Sequence, residues 1–279
     1  MNKSDKIDTV YLLPELDEML IKLLEGFSAE DWEKQTLAPE WKVKDVAVHL
    51  LDGNLRTLSM LRDGYYGDKP EKIHSYEDLI AFLNRLNADW VLATKRLSPK
   101  VIIDLLKVSG KEYCEFLTTL NPDANAEFSV AWAGENESQN WFHIAREYTE
   151  KYHHQQQIRL AVGEADVLLK KEFYFPFLDT SFRALPHHYR EVNAEEGDVI
   201  QVTVTGENGG DWFLYRSKNK WLLVTECKLI PICHIRIAPQ IAWRLFTKGI
   251  SRDEAEPFIN NVGNELFGNK IFEILAVMA

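Results

Sequence analysis

His49 and the pair Glu150 and His154 put imidazole and carboxylate groups where packed helices ordinarily show Leu or Ile. Glu150 and His154 stand at i, i+4, so on a helix they share one face. With His49 they make three nitrogen and oxygen donors. A catalytic zinc-type site uses that number when one position stays open for water or substrate. The flanking positions His143, Glu147, Glu150, His154 and Gln157 follow one another at spacings of four, three, four and three. That spacing normally marks an apolar seam, but here it is polar throughout. Each feature also has a plainer reading. His49, flanked by Ala47, Val48, Leu50 and Leu51, would serve as a hydrogen-bonded core histidine, and Glu150 with His154 as an exposed pair. His153, at i+3 from Glu150, could stand in for His154. On the His49 face, Asp52, Gly53 and Arg56 follow at i+3, i+4 and i+7.

These residues need helices to position them, and the periodicity supplies helices. Apolar residues recur at three and four from Pro14 to Phe27, and Pro suits a first turn. Ser28 to Asp31 can cap a short helix. A long helix is expected from Val43 to about Arg62, closed by the turn-like run Asp63 to Pro70. Another follows the N-cap Ser75 to about Leu97, and another runs from Pro99 to about Leu120. Residues 121–140 read as a polar connection with room for a short hairpin around Gly134. The last of these helices begins after Ser138 and stops at Gly163, a natural C′ residue. Four helices of roughly 20 residues would each span about 30 Å, a matched set for a bundle. After Gly163 the period changes. A helical stretch from Lys171 to Arg190 is interrupted by Pro176 and Pro186. Strands are expected at Val199–Thr205, Asp211–Arg216, Trp221–Thr225 and Ile232–Ile237. Helices are expected at Ala238–Phe246 and Asn264–Met278. The expected organisation is a helical bundle over 1–163 and a small α+β domain with an antiparallel sheet over 164–279.

The 279 residues carry a net charge of −11, which argues against a nucleic-acid binder, since neutralising phosphates needs a basic face. No run approaches 18 apolar residues, so no membrane span is expected, and the N-terminus lacks the apolar run of a signal peptide. Three cysteines, Cys114, Cys227 and Cys233, point to a reducing compartment without a disulfide framework. A cytoplasmic protein, monomer or homodimer, is expected.

Trp41-x-Val43-x-Asp45-Val46-x-x-His49-Leu50, followed by Glu150, His154 and then Gln157-Ile158, resembles the DinB-like metalloenzyme superfamily. Its closest branch is the mycothiol-dependent maleylpyruvate isomerase family, which is similar in carrying Glu at the place of Glu150. Gly206 to Arg216 resembles that family's sterol-carrier-like C-terminal domain. The resemblance implies a DinB-like four-helix bundle with His49, Glu150 and His154 as metal ligands, and Gln157-Ile158 sets this register. It departs at Lys42, where the family usually shows Ser or Thr as N-cap.

Imidazole and carboxylate donors suit Zn²⁺ and are compatible with Ni²⁺, Fe²⁺ or Mn²⁺. The resemblance implies a low-molecular-weight thiol cosubstrate that attacks a small electrophile, in transfer to or isomerisation of a maleylpyruvate-like substrate. Arg56 and Glu147 are the candidate catalytic groups, Arg56 as the cation for a di-acid. His143 and Gln157 are the candidates for cofactor binding. Arg216, Arg236 and Arg244 are open candidates for an arginine reaching the site from the C-terminal half. Two other classes remain: a metal-dependent hydrolase in which Glu147 or His143 assists a bound water, and a non-catalytic binder of small molecules or lipids.

Overall fold

The computed structural model describes residues 6–68 and 73–277. Lys69 and Pro70 at the end of the expected turn, Met278 at the end of the expected last helix, and the first five residues of the N-terminus lie outside the described residues. By packing, the chain divides into two units. Thr9–Asn121 and Glu150–Ala165 form one, and Pro122–Thr149 and Asp166–Val277 form the other. Residues 122–149, within the stretch expected to belong to the bundle, thus pack with the second unit.

The first unit is helical. Its elements are α1 (Leu13–Glu25), α2 (Ala29–Trp32), α3 (Val43–Thr57), α4 (Tyr76–Thr94), α5 (Pro99–Thr119) and the C-terminal part of α6 (Asn140–Val162). Local signals set most of these bounds. Pro14 and Pro99 sit in first turns. Ser28 with Asp31, and Ser75 with Asp78, form reciprocal caps, each satisfying N–H groups that the first turn leaves free. At α3 the Lys42 backbone N–H donates to Asp45 Oδ2 at 2.9 Å, so the acid does the work that a Ser or Thr at position 42 would share. The helix expected to reach Arg62 does so with a change of winding, because Leu58–Arg62 is a π-helical turn. Gly163, at φ 82°, ends α6.

The core of this unit is built from Leu20 and Leu24 of α1, Trp32 of α2, Val43, Val46, Ala47, Leu50 and Leu51 of α3, Ile102 and Leu106 of α5, and Ile158 of α6. Trp90 and Val91 of α4 pack against it. Each fully buried Leu or Ile contributes about 1.5–3 kcal/mol by leaving water. Trp90 also donates its indole N–H to the Val48 carbonyl at 2.8 Å, which anchors α4 to α3.

The second unit holds α7 (Lys171–Ser181), α8 (Leu185–His188), β1 (Val199–Val204), β2 (Gly210–Ser217), β3 (Lys220–Val224), β4 (Cys233–Ile237), α9 (Pro239–Phe246), α10 (Arg252–Ala255), β5 (Ile259–Gly263) and α11 (Glu265–Lys270). The sheet order is β3-β2-β1-β4-β5. The expected antiparallel sheet needs correction at one place: β1 and β4 pair in parallel, while the other neighbours are antiparallel. Alternation specifies which face of a strand is buried but not its direction, so the pattern of Ile232–Ile237 could not reveal this. β5 was not expected, and the expected helix from Asn264 shrinks to α11 and a 3₁₀ turn at Ile271–Glu273. Gly263, at φ 106°, makes the turn between β5 and α11, and the Asn264 side chain accepts from the Leu266 N–H. In place of a hairpin around Gly134 there is a 3₁₀ turn at Ala131–Ala133, ended by Gly134 at φ 79°, with a single bridge between Asn125 and Gln139. No described helix is long and apolar enough to cross a membrane.

Candidate metal centre

The three expected ligands all lie in the helical unit. α3 brings His49 to α6, where its ring packs edge-on against His154, with centroids 4.6 Å apart and planes at 72°. Trp41, just before α3, covers both rings, at 4.8 Å from His49 and 6.2 Å from His154. His154 Nε2 lies 3.6 Å from Glu150 Oε2. On its other side, His154 Nδ1 is bonded to Gln157 Oε1 at 2.9 Å. An amide oxygen only accepts, so Nδ1 donates to Gln157 and Nε2 is the ring atom that faces Glu150. Gln157 thus orients a ring in the way that outer groups orient metal-binding imidazoles.

The charges are arranged for cation binding. Burial, reinforced by His154, pushes the His49 imidazole well below its ordinary pKa, so the ring is neutral and can donate a lone pair. Its Nδ1 is buried without a hydrogen bond, an orphaned polar atom that costs about 1–3 kcal/mol unless something binds it. Burial also works to raise the Glu150 carboxyl, but hydrogen bonding to His154 and the electrostatic pull of the neighbouring histidines outweigh it and hold the group at about 2. The residues present therefore fit a divalent ion, with a carboxylate, two imidazoles and, at His49 Nδ1, a buried donor atom without a partner.

His153 joins them. It is buried, and one donor atom from each of Glu150, His153 and His154 lies within 4.8 Å of the others. Among the described residues this is the group of three His, Cys, Asp or Glu side chains gathered closely enough to share an ion. His49 stands outside that tightest trio and meets it through the His154 ring.

The other candidates are placed differently. Arg56 has Nε 3.1 Å from Asp52 Oδ2, and its charge reaches His49. Burial raises the Asp52 carboxyl and Arg56 partly offsets that. His143 and Glu147 belong to the second unit, where Arg146 joins them. Arg146 Nη2 lies 2.7 Å from His143 Nδ1 and 3.3 Å from Glu147 Oε1. A guanidinium only donates, so His143 holds its proton on Nε2, a buried atom without a hydrogen-bond partner. Burial lowers the His143 pKa to about 4. Arg216 stacks on Trp221, with 5.5 Å from Cζ to the ring, and Arg244 donates to the Gly249 carbonyl.

The sequence matches the family of the mycothiol maleylpyruvate isomerase N-terminal domain over residues 13–159, more than half of the chain. The chain belongs to that family. Two solved structures share its fold: the mycothiol-dependent maleylpyruvate isomerase, at 8% identity, and a histidine-to-alanine mutant of that enzyme, at 7%. In each case the alignment covers 94% of this chain and 95% of the other, with a TM-score of 0.51. No curated protein matches the sequence.

Behind the candidate ligands, this mycothiol maleylpyruvate isomerase-type domain holds a buried polar network that sequence reasoning missed. Lys151 Nζ donates to Asn54 Oδ1 at 2.6 Å, and Asn54 Nδ2 donates to Ser109 Oγ at 3.1 Å. The same ammonium lies 3.5 Å from Asp17 Oδ1 and 4.5 Å from the Tyr113 ring centroid. One charge thereby ties α6 to α3, α5 and α1. Gly110 makes room: a Cβ there would stand 2.1 Å from Asp17 Oδ2. Further along α6, Gln155 donates to the Leu16 carbonyl, and Arg159 to Gln155 and the Met19 carbonyl. The sequence signal was Asp17, an acid inside the apolar stripe of α1, with Lys151 inside the polar stretch of α6.

Proposed function

We propose that the chain is a metal-dependent enzyme that uses a low-molecular-weight thiol in transfer to, or isomerisation of, a small electrophilic, maleylpyruvate-like substrate. In this reading His49, Glu150 and His154 hold the ion within a DinB-like four-helix bundle. The observation that carries it is the meeting of His49, its Nδ1 buried without a partner, with the His154 ring and the Glu150 carboxylate, while Gln157 holds His154 Nδ1. Family membership over residues 13–159 supports it, as does the shared fold of a relative that is mycothiol-dependent and named for maleylpyruvate.

A bound Zn²⁺-type ion with an open position supplies a lowered pKa for a thiol at neutral pH. The chain's own residues do the rest. Glu150 offsets positive charge, and Gln157 fixes the His154 ring. Trp41 shields the imidazoles from bulk water, which strengthens each electrostatic contact. Arg56 offers a cation to an acidic substrate, with Asp52 holding its guanidinium in place.

The test joins elemental analysis of the purified protein to an assay of maleylpyruvate with a panel of thiols that includes mycothiol. The reading expects about one divalent ion per chain, lost in His49→Ala, and turnover that requires both metal and thiol. Stoichiometric metal in His49→Ala overturns the ligand assignment. Metal-loaded protein inert with every thiol overturns the reaction.

A further inference from the structure

The three-ligand reading leaves one histidine over. On α6, His153 and His154 follow Glu150 by three and four residues, so their side chains straddle the Glu150 face roughly 50° to either side. His153 is 4% exposed, and its ring centroid is 3.9 Å from that of His154. A donor from each of Glu150, His153 and His154 lies within 4.8 Å of the other two. Ligands about 2.0–2.1 Å from a tetrahedral ion stand about 3.3 Å from one another. The trio therefore lies within reach of one ion, with the His49 ring packed against His154 beside it.

We infer that His153 is a fourth protein donor to the ion held by His49, Glu150 and His154. The chain then offers three imidazoles and one carboxylate, and an external thiol must compete with a protein ligand. This rests on the three-ligand reading and changes its consequence, since four protein donors complete the coordination that a catalytic zinc-type site leaves open.

X-ray absorption on the Zn²⁺-loaded full chain tests it, because bound imidazoles can be counted without activity. The expected result is three imidazoles in the wild type and two in His153→Ala, with one ion per chain retained and affinity weakened about tenfold or more. His153→Gln keeps a hydrogen-bonding side chain in the core and should lose the same imidazole, which separates ligation from packing. In Co²⁺-loaded protein, 2-mercaptoethanol should produce its thiolate-to-metal absorption at about tenfold lower concentration in His153→Ala than in the wild type. Two imidazoles in the wild type, unchanged in both variants, overturn the inference and leave the three-ligand reading standing. A wild-type chain that binds no metal overturns both, and the missing metal distinguishes that failure from a miscounted donor.

Discussion

Replacing Lys151 with Met asks how much the polar network behind the site contributes. The substitution keeps the length of the apolar stem but removes an ammonium that is 3.5 Å from Asp17 Oδ1 and bonded to Asn54 Oδ1 at 2.6 Å. Both charged side chains are about nine-tenths buried, so water replaces the lost partner only in part. Breaking a buried pair by removing one member costs about 3–5 kcal/mol, because a lone buried charge remains. For a domain of this size, each kcal/mol moves the thermal midpoint by roughly 2–4 °C, which gives a fall of roughly 6–20 °C. The double variant Asp17→Leu with Lys151→Met removes both charges and should recover most of that loss, since apolar replacement of a whole buried pair is often neutral. Thermal unfolding of the two single variants and the double variant forms a cycle with a coupling energy of at least about 2 kcal/mol. A Lys151→Met loss below about 1 kcal/mol, or strictly additive single effects, would refute the reasoning.

Three other perturbations follow from the same contacts. Gly110→Ala drives a Cβ against the Asp17 carboxylate and should cost about 1–3 kcal/mol by overpacking, read as a shift in the urea midpoint, and an unchanged midpoint would contradict the close contact. Gln157→Leu frees the His154 ring and should weaken metal binding about 10–100-fold while the circular dichroism spectrum stays as in the wild type; unchanged affinity would show that Gln157 does not orient the ligand. Burial holds His143 at about 4, below its ordinary 6.5, so the unfolded chain binds its proton first; its contribution to stability is full above pH 6.5 and declines as pH falls toward 4. Between pH 7 and pH 5 that loss is about 2 kcal/mol, and His143→Asn should lose that much less stability over the same interval in urea titrations.

Much of this architecture was legible in the sequence because the signals were local. Ser28, Ser75 and Pro99 mark helix starts by their own chemistry, and Gly163 marks an end by its φ of 82°. The β2–β3 hairpin follows from alternation on both sides of Ser217–Lys220. The parallel pairing of β1 with β4 and the short strand β5 depend on neighbours far along the chain, which no window contains. The packing of residues 122–149 with the second unit is equally non-local.

The candidate site divides along the same line. Helical spacing placed the candidates Glu150 and His154 on one face, and the adjacency of α3 and α6 brings His49 to His154. Spacing could not show that His153, at the neighbouring position, points into the same cluster, because i+3 and i+4 share a helix face almost equally. Asn54, Ser109 and Asp17 escaped because each is unremarkable until Lys151 lies buried among them.

The central claim is that two imidazoles and a carboxylate from separate helices share a cation. Crystals soaked in Zn²⁺ and measured on both sides of the zinc absorption edge test it most directly. The account predicts one strong anomalous peak within bonding distance of His49, Glu150 and His154. A peak elsewhere, or one that Glu150 and His154 hold without His49, would contradict it.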